Sequence, residues 1–520
     1  MTGFVSIVGA GPWDPELLTL AGRDRLARAD VVIADYLVNP AMLMHCRPEV
    51  EVLQRAQGPH EGLRLDQDAV NALMVERAQR GLRVVRLKGG DPMIFGRGSE
   101  EAAYLRERGV DFELVPGVSA AIAAPEAAGI PLTHRDHTPS VSIVSGFEAY
   151  EKGGLSVAWE HLAKSAGTLV LMMSVKNCRE NAERLIAAGR DPETPAALIR
   201  WGTRGIMKTL TATLSTIADA ADACGLRPPA VLVVGSVVEL RAEIQWFERR
   251  ALFGRRIVVT RAAAQGGELL HRLAGDGADA VAFPCLAIAP ADDLAAIDRA
   301  VEAIGRDGHQ GVIVSSPNGV DALLDALARV GRDVRALAGV TVAAIGTGTA
   351  AAAARRGLTP DLVPREPRAE GLREALRERG LLARRWLHVR ADEGRDVIGP
   401  AITEAGGAYT LVIGYRTIRP KVPALLVRSL RAVSDGGEGF DAICFASGKT
   451  ARHFLETVDE HLGPGAAARR LADARVIALG PVTAAAIEAL GIRVDAIAAD
   501  PSDEAMLAAV RGAFEASAAE

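Results

Sequence analysis

Two acidic side chains stand where strands are predicted to end, and one of them follows a pair of glycines. The segment VVRLKGGDP (residues 84–92) begins with β-branched residues that predict a buried parallel strand. Gly89 and Gly90 carry no Cβ, so a ligand can lie directly against their backbone. Asp91 follows them, and Asp35 follows another predicted strand, Val31–Ala34. Because open α/β sheets bind ligands at the carboxyl ends of their strands, these residues predict a small-molecule site.

The chain opens with a strand, a glycine loop, a helix, a second strand and an acid, which is also the order of a dinucleotide-binding site. The first strand is predicted at Phe4–Val8, and the first helix is expected to begin after Asp14, with Pro15 at its first position. The dinucleotide fingerprint requires a third glycine, whereas Gly11 is followed by Pro12 and an acid. Proline and an acid suit a pyrophosphate poorly, so the sequence disfavours a nicotinamide-dependent dehydrogenase.

The composition is that of a globular α/β protein with several lobes. At roughly 150 residues per domain, 520 residues predict three or four lobes, and the 49% hydrophobic and 4% aromatic content suits helices on parallel sheets. The net charge of −5 argues against nucleic-acid or membrane-surface binding, and no stretch is apolar enough to span a bilayer. Five scattered cysteines without a CxxC pair predict no disulfide and no metal site, which indicates a reducing, cytoplasmic location.

The first half carries a series of motifs in a fixed order. They are VGAGPWDPELLTL, ADVVIADYLV, RVVRLKGGDPMIFGRGSEE, VPGVSAAIAAPEAAGIPLTHRD, LVLMMS and PPAVLVVGSVVELR, across residues 4–247. Together they resemble the uroporphyrinogen-III C-methyltransferases of the tetrapyrrole methylase family. The resemblance implies a domain over residues 1–248 with two α/β lobes (about 1–137 and 138–248), S-adenosylmethionine in the cleft between them, and a homodimer. It also implies transfer of two methyl groups to uroporphyrinogen III, giving precorrin-2.

The same resemblance assigns roles to individual residues. The family's cofactor contacts fall on Pro12, Gly89, Gly90, Asp91, Ile94, Ser119, Ala120, Met173, Gly202 and Ala230. Asp35 matches the family's proposed proton acceptor. The family's proposed proton-donor lysine falls at Gln57 or Gly58, and no lysine occurs from Leu53 to Asp66. Either the lysine is dispensable or a nearby cationic side chain replaces it, the candidates being Arg55, His60 and Arg64.

The second half contains an internal repeat. The segments that begin at Arg255 and Arg384 resemble each other, as do those at Val312 and Ile443 and those at Val342 and Val476. Each copy alternates strand and helix, so the repeat predicts two parallel-sheet lobes that face one cleft.

This half, about residues 252–517, also resembles a known family. The motifs VVTR, FPCLAI, SSPNGV, AIGTGTA, GYRT and ALGPVTA appear in the order found in uroporphyrinogen-III synthases. The resemblance implies a domain over residues 252–520 with a crossed-over chain, lobe one being about 252–287 plus 419–520 and lobe two about 288–417. It implies cyclisation of hydroxymethylbilane to uroporphyrinogen III, with inversion of the last ring and without a cofactor. Only Arg249–Arg256 links the two domains along the chain, so we expect them to be separable.

Several residues of this half are candidates for contact with a tetrapyrrole that carries many carboxylates. Tyr415 matches the family's tyrosine that helps the substrate hydroxyl to leave. The candidate substrate-binding residues are Arg261, Ser316, Asn318, Ser447 and Thr483. The serines and the threonine could equally cap helices, and Arg261 with its repeat counterpart Arg390 could equally form salt bridges inside their lobes.

Two other functions remain open at the level of sequence. The first half could methylate a later corrinoid intermediate, and the second could be a non-catalytic module that delivers a tetrapyrrole. The motifs do not distinguish a pathway to sirohaem from one to cobalamin.

Overall fold

The computed structural model describes residues 3–47, 49–54, 66–147, 157–164, 167–261, 263–305, 308–394, 396–422, 426–427, 430 and 439–515. Gln57 and Gly58, and the alternatives Arg55, His60 and Arg64, lie outside these residues. The described residues contain four five-stranded sheets. The chain divides into two compact units, of which unit one is Met1–Pro284 with Val422–Glu520 and unit two is Cys285–Lys421.

The first lobe has a wholly parallel sheet in the order β3-β2-β4-β1-β5. Its strands are β1 (Phe4–Gly9), β2 (Val31–Ala34), β3 (Glu51–Gln54), β4 (Arg83–Lys88) and β5 (Phe112–Val115). Its helices are α1 (Leu20–Arg28), α2 (Gln67–Gln79), α3 (Gly98–Glu107) and α4 (Ala120–Ala127). Every residue of β2 is buried, as expected for a strand covered on both faces.

The first helix begins later than predicted. Asp14 does cap a helix, with its side chain accepting from Glu16 N, but that helix is a single 3₁₀ turn, Pro15–Leu17. The α-helix α1 starts afresh at Leu20, where the Thr19 hydroxyl accepts from Gly22 N at 3.1 Å. Two successive capping residues therefore divide the segment, because each satisfies its own first-turn donors.

The second lobe has a mixed sheet in the order β6-β7-β10-β8-β9. Its strands are β6 (Val141–Ser145), β7 (Thr168–Met172), β8 (Pro195–Arg200), β9 (Lys208–Thr213) and β10 (Ala230–Val234). Its helices are α5 (Trp159–Lys164), α6 (Cys178–Ala187), α7 (Ile217–Ala223) and α8 (Arg241–Ile244). The central strand β10 runs antiparallel to both of its neighbours, β7 and β8.

The second half begins in unit one with β11 (Arg256–Val259), α9 (Ala263–Gly275) and β12 (Asp279–Ala282). The chain then forms unit two, whose sheet has the order β13-β17-β16-β14-β15. Its strands are β13 (Ala287–Pro290), β14 (Gly311–Val314), β15 (Thr341–Ala344), β16 (Arg385–Ala391) and β17 (Ala408–Ile418). Its helices are α10 (Leu294–Glu302), α11 (Pro317–Arg329), α12 (Thr347–Arg355), α13 (Ala369–Glu378) and α14 (Ile398–Glu404). Only the pair β13 and β17 is antiparallel among these paired strands.

The last segment of the chain completes a sheet in unit one. It supplies β18 (Ala442–Phe445), β19 (Arg475–Ala478) and β20 (Ala496–Ile497), with helices α15 (Gly448–Leu462), α16 (Ala466–Ala472), α17 (Pro481–Glu488) and α18 (Asp503–Glu515). The sheet order is β12-β11-β18-β19-β20, and all of its strands are parallel. Strands from the two ends of the second half thus share one core.

The junction between the two halves is packed within unit one rather than being a free linker. Leu252 is 1% exposed and belongs to the core around β11, whereas Phe253 packs against the core of the second lobe. A Cβ on Gly205 would lie 2.1 Å from Asp279 N, so the loop after β8 lies directly against the start of β12. The halves therefore also contact each other outside Arg249–Arg256, and their separability stays a prediction.

Candidate active sites

Asp35 lies at the carboxyl end of β2 and is held by a buried arginine. Its Oδ1 accepts from Nη2 of Arg86 at 2.6 Å. Arg86 is completely buried on β4, and its Nε also donates to Oε1 of Glu101 on α3 at 3.1 Å. The Asp35 side chain keeps 22% of its surface exposed. The carboxylate is thus fixed on its inner side and remains accessible on the other.

Lys88 completes this buried cluster of charges. Its Nζ donates to the same Glu101 oxygen at 2.8 Å, and Gln67 donates to that oxygen at 2.9 Å. Burial, followed by the charge of Arg86, lowers the pKa of Lys88. Sequence reasoning missed this cluster, although alternate residues of a strand share a face and RLK places Arg86 and Lys88 on one side of β4.

The glycine loop, Gly89–Asp91, lies between the loop after β1 and the start of α4, and we call the open space beside Gly90 the groove. Gly90 has a φ of +69° and exchanges backbone hydrogen bonds with Gly11, at 2.8 and 3.2 Å. A Cβ on Gly90 would lie 3.9 Å from both Ser119 Cα and Ala120 N, so the empty space beside Gly90 faces the start of α4. Asp91 stabilises this loop, since its carboxylate accepts from Met93 N at 2.8 Å and from Gly117 N at 3.0 Å.

The loop after β8 brings the second lobe onto the same region. A Cβ on Gly202 would lie 2.2 Å from Ala124 Cβ on α4, so only glycine allows this approach. The next residue, Thr203, donates from its hydroxyl to Pro12 O at 3.3 Å. Pro12, Gly202 and the α4 start at Ser119–Ala120 are therefore brought together from both lobes. Ser119 also caps α4, since its hydroxyl accepts from Ala121 N.

Three further predicted contacts lie at the ends of elements. Met173 follows β7 and Ala230 begins β10, and the pairing of Met172 with Val231 places the two at the same edge of the second sheet. Ala230 is buried, so it can offer only backbone, whereas Met173 and Ile94 expose 49% and 41% of their surface.

Strained backbone is concentrated at these loops. Among the described residues, the non-glycine residues with positive φ are Trp13, Phe95, Arg97, Met173, Trp201 and Thr203. All six lie in the first half, within two residues of a predicted cofactor contact or, for Arg97, at the cap of α3. Such conformations cost roughly 1–3 kcal/mol each and cluster where a protein holds a ligand.

In the second half, the lobe within unit one uses its predicted residues for its own structure. Arg261 forms an ion pair with Asp503, the first residue of α18. Ser447 caps α15 in a reciprocal arrangement with Thr450, and Thr483 donates to Ala446 O at 3.5 Å. Ser447 thus caps a helix and Arg261 forms a salt bridge inside the lobe, whereas the Thr483 hydroxyl does not cap α17.

Unit two holds Tyr415 and Ser316 side by side. The Tyr415 hydroxyl is 2.8 Å from the Ser316 hydroxyl, which also caps α11 by accepting from Gly319 N at 3.0 Å. Asn318 lies in the first turn of that helix. Arg390 donates to the backbone carbonyls of Ala391 and Gly394, which lie in the same lobe.

A cavity of about 230 Å³ lies beside this pair. Its lining includes Ser315, Ser316, His388, Arg390 and Tyr415. A larger cavity of about 560 Å³, between Leu337 and Leu381, contains none of the predicted residues. The hydroxyl-bearing residues Ser315, Ser316 and Tyr415 thus line the smaller cavity. Sequence reasoning did not single out His388 or Ser315.

The comparisons with known proteins divide the chain in the same way. The family profile for Tetrapyrrole (Corrin/Porphyrin) Methylases matches residues 5–218, and that for Uroporphyrinogen-III synthase HemD matches residues 267–508. The porphyrin biosynthesis protein HemD of Ruminiclostridium josui is 36% identical over 362 residues, covering 70% of this chain and 71% of that protein. The chain belongs to this HemD family.

The resemblance stated for each half is thereby confirmed, and the HemD-family chain is an enzyme with a methylase and a synthase domain. A uroporphyrinogen-III C-methyltransferase of Bacillus subtilis (strain 168) is 40% identical over 246 residues, covering 47% of this chain and 95% of that protein. A crystal structure of uroporphyrin-III C-methyl transferase from Thermus thermophilus, complexed with S-adenyl homocysteine, is 36% identical, covers 46% of this chain and all of that one, and has a TM-score of 0.39.

The described residues contain neither a membrane-spanning helix nor a metal-binding cluster. No helix there is long and apolar enough to cross a membrane. No group of three or more His, Cys, Asp or Glu side chains in that part of the chain could hold a metal ion.

Proposed function

We propose that this HemD-family enzyme makes and then methylates uroporphyrinogen III. The second half cyclises hydroxymethylbilane to uroporphyrinogen III, and the first half transfers two methyl groups to that product to give precorrin-2. The observation that carries the first assignment is the meeting of Pro12, Gly90, Ser119–Ala120 and Gly202 around one groove. For the second it is the pair of Tyr415 and Ser316 beside a cavity.

The groove of the first half fits S-adenosylmethionine by the chemistry of its lining. Glycine backbone suits a flat, cationic ligand without phosphate groups, and so do the exposed side chains of Ile94 and Met173, which the resemblance assigns to the same ligand. When bound, S-adenosylmethionine supplies an electrophilic methyl group. The groove residues bind and orient, and orientation supplies much of the rate of such a transfer. Gly89 and Ala230 would contribute backbone contacts.

Asp35 would act on the tetrapyrrole. Methyl transfer to a pyrrole carbon leaves the ring cationic, so the ring must then lose a proton, and a positioned carboxylate can accept that proton. Its bond to Arg86 fixes the direction of the Asp35 carboxylate. The chain has no lysine from Leu53 to Asp66. The buried cluster that holds Asp35 does contain a lysine, Lys88.

The cyclisation needs an acid for the substrate hydroxyl and donors for the carboxylates. Tyr415 would give its proton to the hydroxyl, which leaves as water, and the Ser316 hydroxyl at 2.8 Å holds the phenol in place. Asn318, Ser447 and Thr483 lie at the starts of helices, where neutral side chains and backbone N–H groups can bind carboxylates. No cofactor is required for this rearrangement.

One incubation tests both assignments. The full chain is given hydroxymethylbilane with and without S-adenosylmethionine, and the isomer and the number of added methyl groups are read. We expect the type III isomer without the methyl donor and its dimethylated product with it. If the sole product is the uninverted type I isomer, which forms spontaneously, the second half merely binds a tetrapyrrole. Methylation only of a later corrinoid would point to the other methylase specificity. The homodimer implied for the methylase half is checked by light scattering.

Replacement of Asp91 by alanine should abolish methylation and weaken binding of S-adenosylmethionine. The carboxylate holds the glycine loop through Met93 N and Gly117 N, and without it one wall of the groove loses its anchor. Calorimetric titration with S-adenosylmethionine measures this, and cyclisation should be intact. Asp191→Ala is the matched control, because Asp191 makes the same kind of turn, to Glu193 N at 2.9 Å, in a loop without predicted site residues. If Asp91→Ala binds S-adenosylmethionine and transfers methyl groups normally, the assignment of the groove as the cofactor site is refuted.

Replacement of Tyr415 by phenylalanine should slow cyclisation by roughly a hundredfold, the usual contribution of a positioned general acid. The ring is 8% exposed and keeps its packing, so only the hydroxyl is lost. The yield of type III isomer relative to the spontaneous type I isomer should fall. Methylation of supplied uroporphyrinogen III by the same sample is the internal control. Unchanged production of the type III isomer would exclude Tyr415 as the acid.

A further inference from the structure

A chain of hydrogen bonds in unit two runs from Asp396 to Ser315. Tyr409 on β17 donates from its hydroxyl to Oδ1 of Asp396 at 3.1 Å. His388 on β16 has Nδ1 2.7 Å from the Tyr409 hydroxyl, and its Nε2 is hydrogen-bonded to Oγ of Ser315. His388 is 4% exposed, and Gly399 leaves the space that the Tyr409 ring occupies, since a Cβ there would lie 2.6 Å from the ring.

In the series of hydrogen bonds between Asp396 and Ser315, the donor and acceptor of each bond can be assigned in only one way. A carboxylate can only accept, so the Tyr409 proton points to Asp396 and the Tyr409 oxygen must accept from His388 Nδ1–H. Burial and the nearby Arg390 lower the pKa of His388 to about 4, so the imidazole is neutral and has one N–H. Its Nε2 must then accept, and Ser315 donates to it. Any further hydrogen bond of the Ser315 oxygen is therefore one in which that oxygen accepts.

The Ser315 hydroxyl, whose oxygen is free only to accept, lines the same cavity as Tyr415. Ser315 and Tyr415 are both lining residues, and the residue next to Ser315 in the chain, Ser316, is hydrogen-bonded to the Tyr415 hydroxyl. A group that can only accept cannot bind a substrate carboxylate, because both would present lone pairs. A bilane has four pyrrole N–H groups, and these are donors that such an oxygen can bind.

We infer that Ser315 accepts a hydrogen bond from a pyrrole N–H of the bilane, with His388 and Tyr409 as the positioning residues that orient it. The inference rests on the proposed synthase function. When the C–O bond of the hydroxymethyl group breaks, its electron pair leaves with the oxygen, which takes a proton from Tyr415 and departs as water. Positive charge then spreads onto the ring nitrogen, and its N–H becomes a stronger donor. The bond to Ser315 is thus stronger in the transition state than in the bound substrate. It therefore raises kcat and has little effect on KM.

Kinetics of cyclisation by the full chain test this inference. Ser315→Ala should lower kcat by about tenfold to a hundredfold, with little change in KM, as expected for a lost hydrogen bond to a developing charge. Tyr409→Phe should lower kcat less, because it removes only the group that orients His388. Since Tyr409 acts through Ser315, the double variant should be no slower than Ser315→Ala. Thr403→Ala, which removes a hydroxyl bond to Gly399 O on α14, is the control that should stay unchanged.

Methylation of supplied uroporphyrinogen III by each variant confirms that the chain has folded. A Ser315→Ala variant within twofold of the parent chain, or additive losses in the double variant, would overturn the inference while leaving the synthase function intact. If the parent chain makes no type III isomer, the synthase function fails instead, and the proposed ligand of Ser315 fails with it.

The tautomer of His388 can be measured without any substrate. In ¹⁵N-histidine-labelled chain, the His388 signals are identified by their loss in His388→Gln. We expect a protonated Nδ1 and a bare Nε2 in the parent chain, and transfer of the proton to Nε2 in Tyr409→Phe, where Nδ1 has lost its acceptor. A proton on Nε2 in the parent chain would reverse the direction of the Ser315 bond and overturn the inference.

Discussion

Replacement of Asp279 by alanine is expected to destabilise the chain by about 3–5 kcal/mol, which is the usual cost of leaving a buried charge without its partner. Asp279 is 2% exposed at the start of β12, and its carboxylate accepts two bonds from Arg204, at 2.8 and 3.2 Å. Arg256 approaches the same carboxylate at 3.4 Å. The variant would therefore leave two buried guanidinium groups without this anion. Denaturant unfolding of the full chain measures the loss.

The same variant should also weaken binding of S-adenosylmethionine, although Asp279 belongs to the synthase half. The Arg204 guanidinium lies over the rings of Trp13 and Trp201, 4.1 and 4.9 Å from their centres. Both tryptophans have positive φ and adjoin the predicted contacts Pro12 and Gly202. Asp279 thus holds, through Arg204, the side of the groove to which both lobes contribute. A calorimetric titration of folded Asp279→Ala with S-adenosylmethionine should show lower affinity.

Asp276→Ala provides the comparison for this prediction. Asp276 precedes the same strand and pairs with Arg511 at 2.5 Å, but the Arg511 side chain is 45% exposed. Exposed pairs contribute about 0–1 kcal/mol, so this variant should unfold nearly as the parent chain does and bind the cofactor normally. Equal stability of the two variants would contradict the role given to the Arg204–Asp279 pair.

This interface shows what the sequence could not predict. Arg204 and Asp279 are 75 residues apart, and each resembles an ordinary surface charge in the printed sequence. Apolar periodicity, by contrast, is a local property. It predicted Val31–Ala34 with the bounds that the structure has, and it predicted the first strand, Phe4–Val8, to within one residue. The edge strand β9 was missed because its residues, KTLTAT, are mostly half-buried and lack a continuous apolar run.

The same difference between local and long-range features applies to the candidate sites. Backbone loops such as the one around Gly90 were predicted, because a motif of adjacent residues determines them. The hydrogen-bonded chain of Ser315, His388 and Tyr409 joins three different elements, and no local pattern connects a histidine in RWLHVRA with a serine after β14. The partners of Ser447 and Arg261, which are Thr450 and Asp503, could likewise not be identified from any local pattern.

Replacement of Asp35 by asparagine should slow methyl transfer by roughly a hundredfold or more, the usual effect of removing a positioned base. Asparagine has nearly the same shape, and its side-chain oxygen can still accept from Arg86 Nη2. It cannot take up the proton that the methylated ring must lose. Asp35 is separate from the groove residues in the chain and lies at the end of a different strand, so the affinity for S-adenosylmethionine should be retained.

Three measurements on Asp35→Asn separate catalysis from structure. The rate of methylation of supplied uroporphyrinogen III should fall, while cofactor affinity by calorimetry and cyclisation of hydroxymethylbilane should match the parent chain. Asp30→Asn is the control at the other end of β2, where the carboxylate accepts from Arg83 N at 2.8 Å and from Arg47 at 2.6 Å and where no site residue is predicted. If Asp35→Asn methylates as fast as Asp30→Asn, Asp35 is not the base. Loss of cofactor binding together with the rate would instead mean that Asp35 maintains the buried cluster around Arg86, because the asparagine leaves that cluster with an excess positive charge.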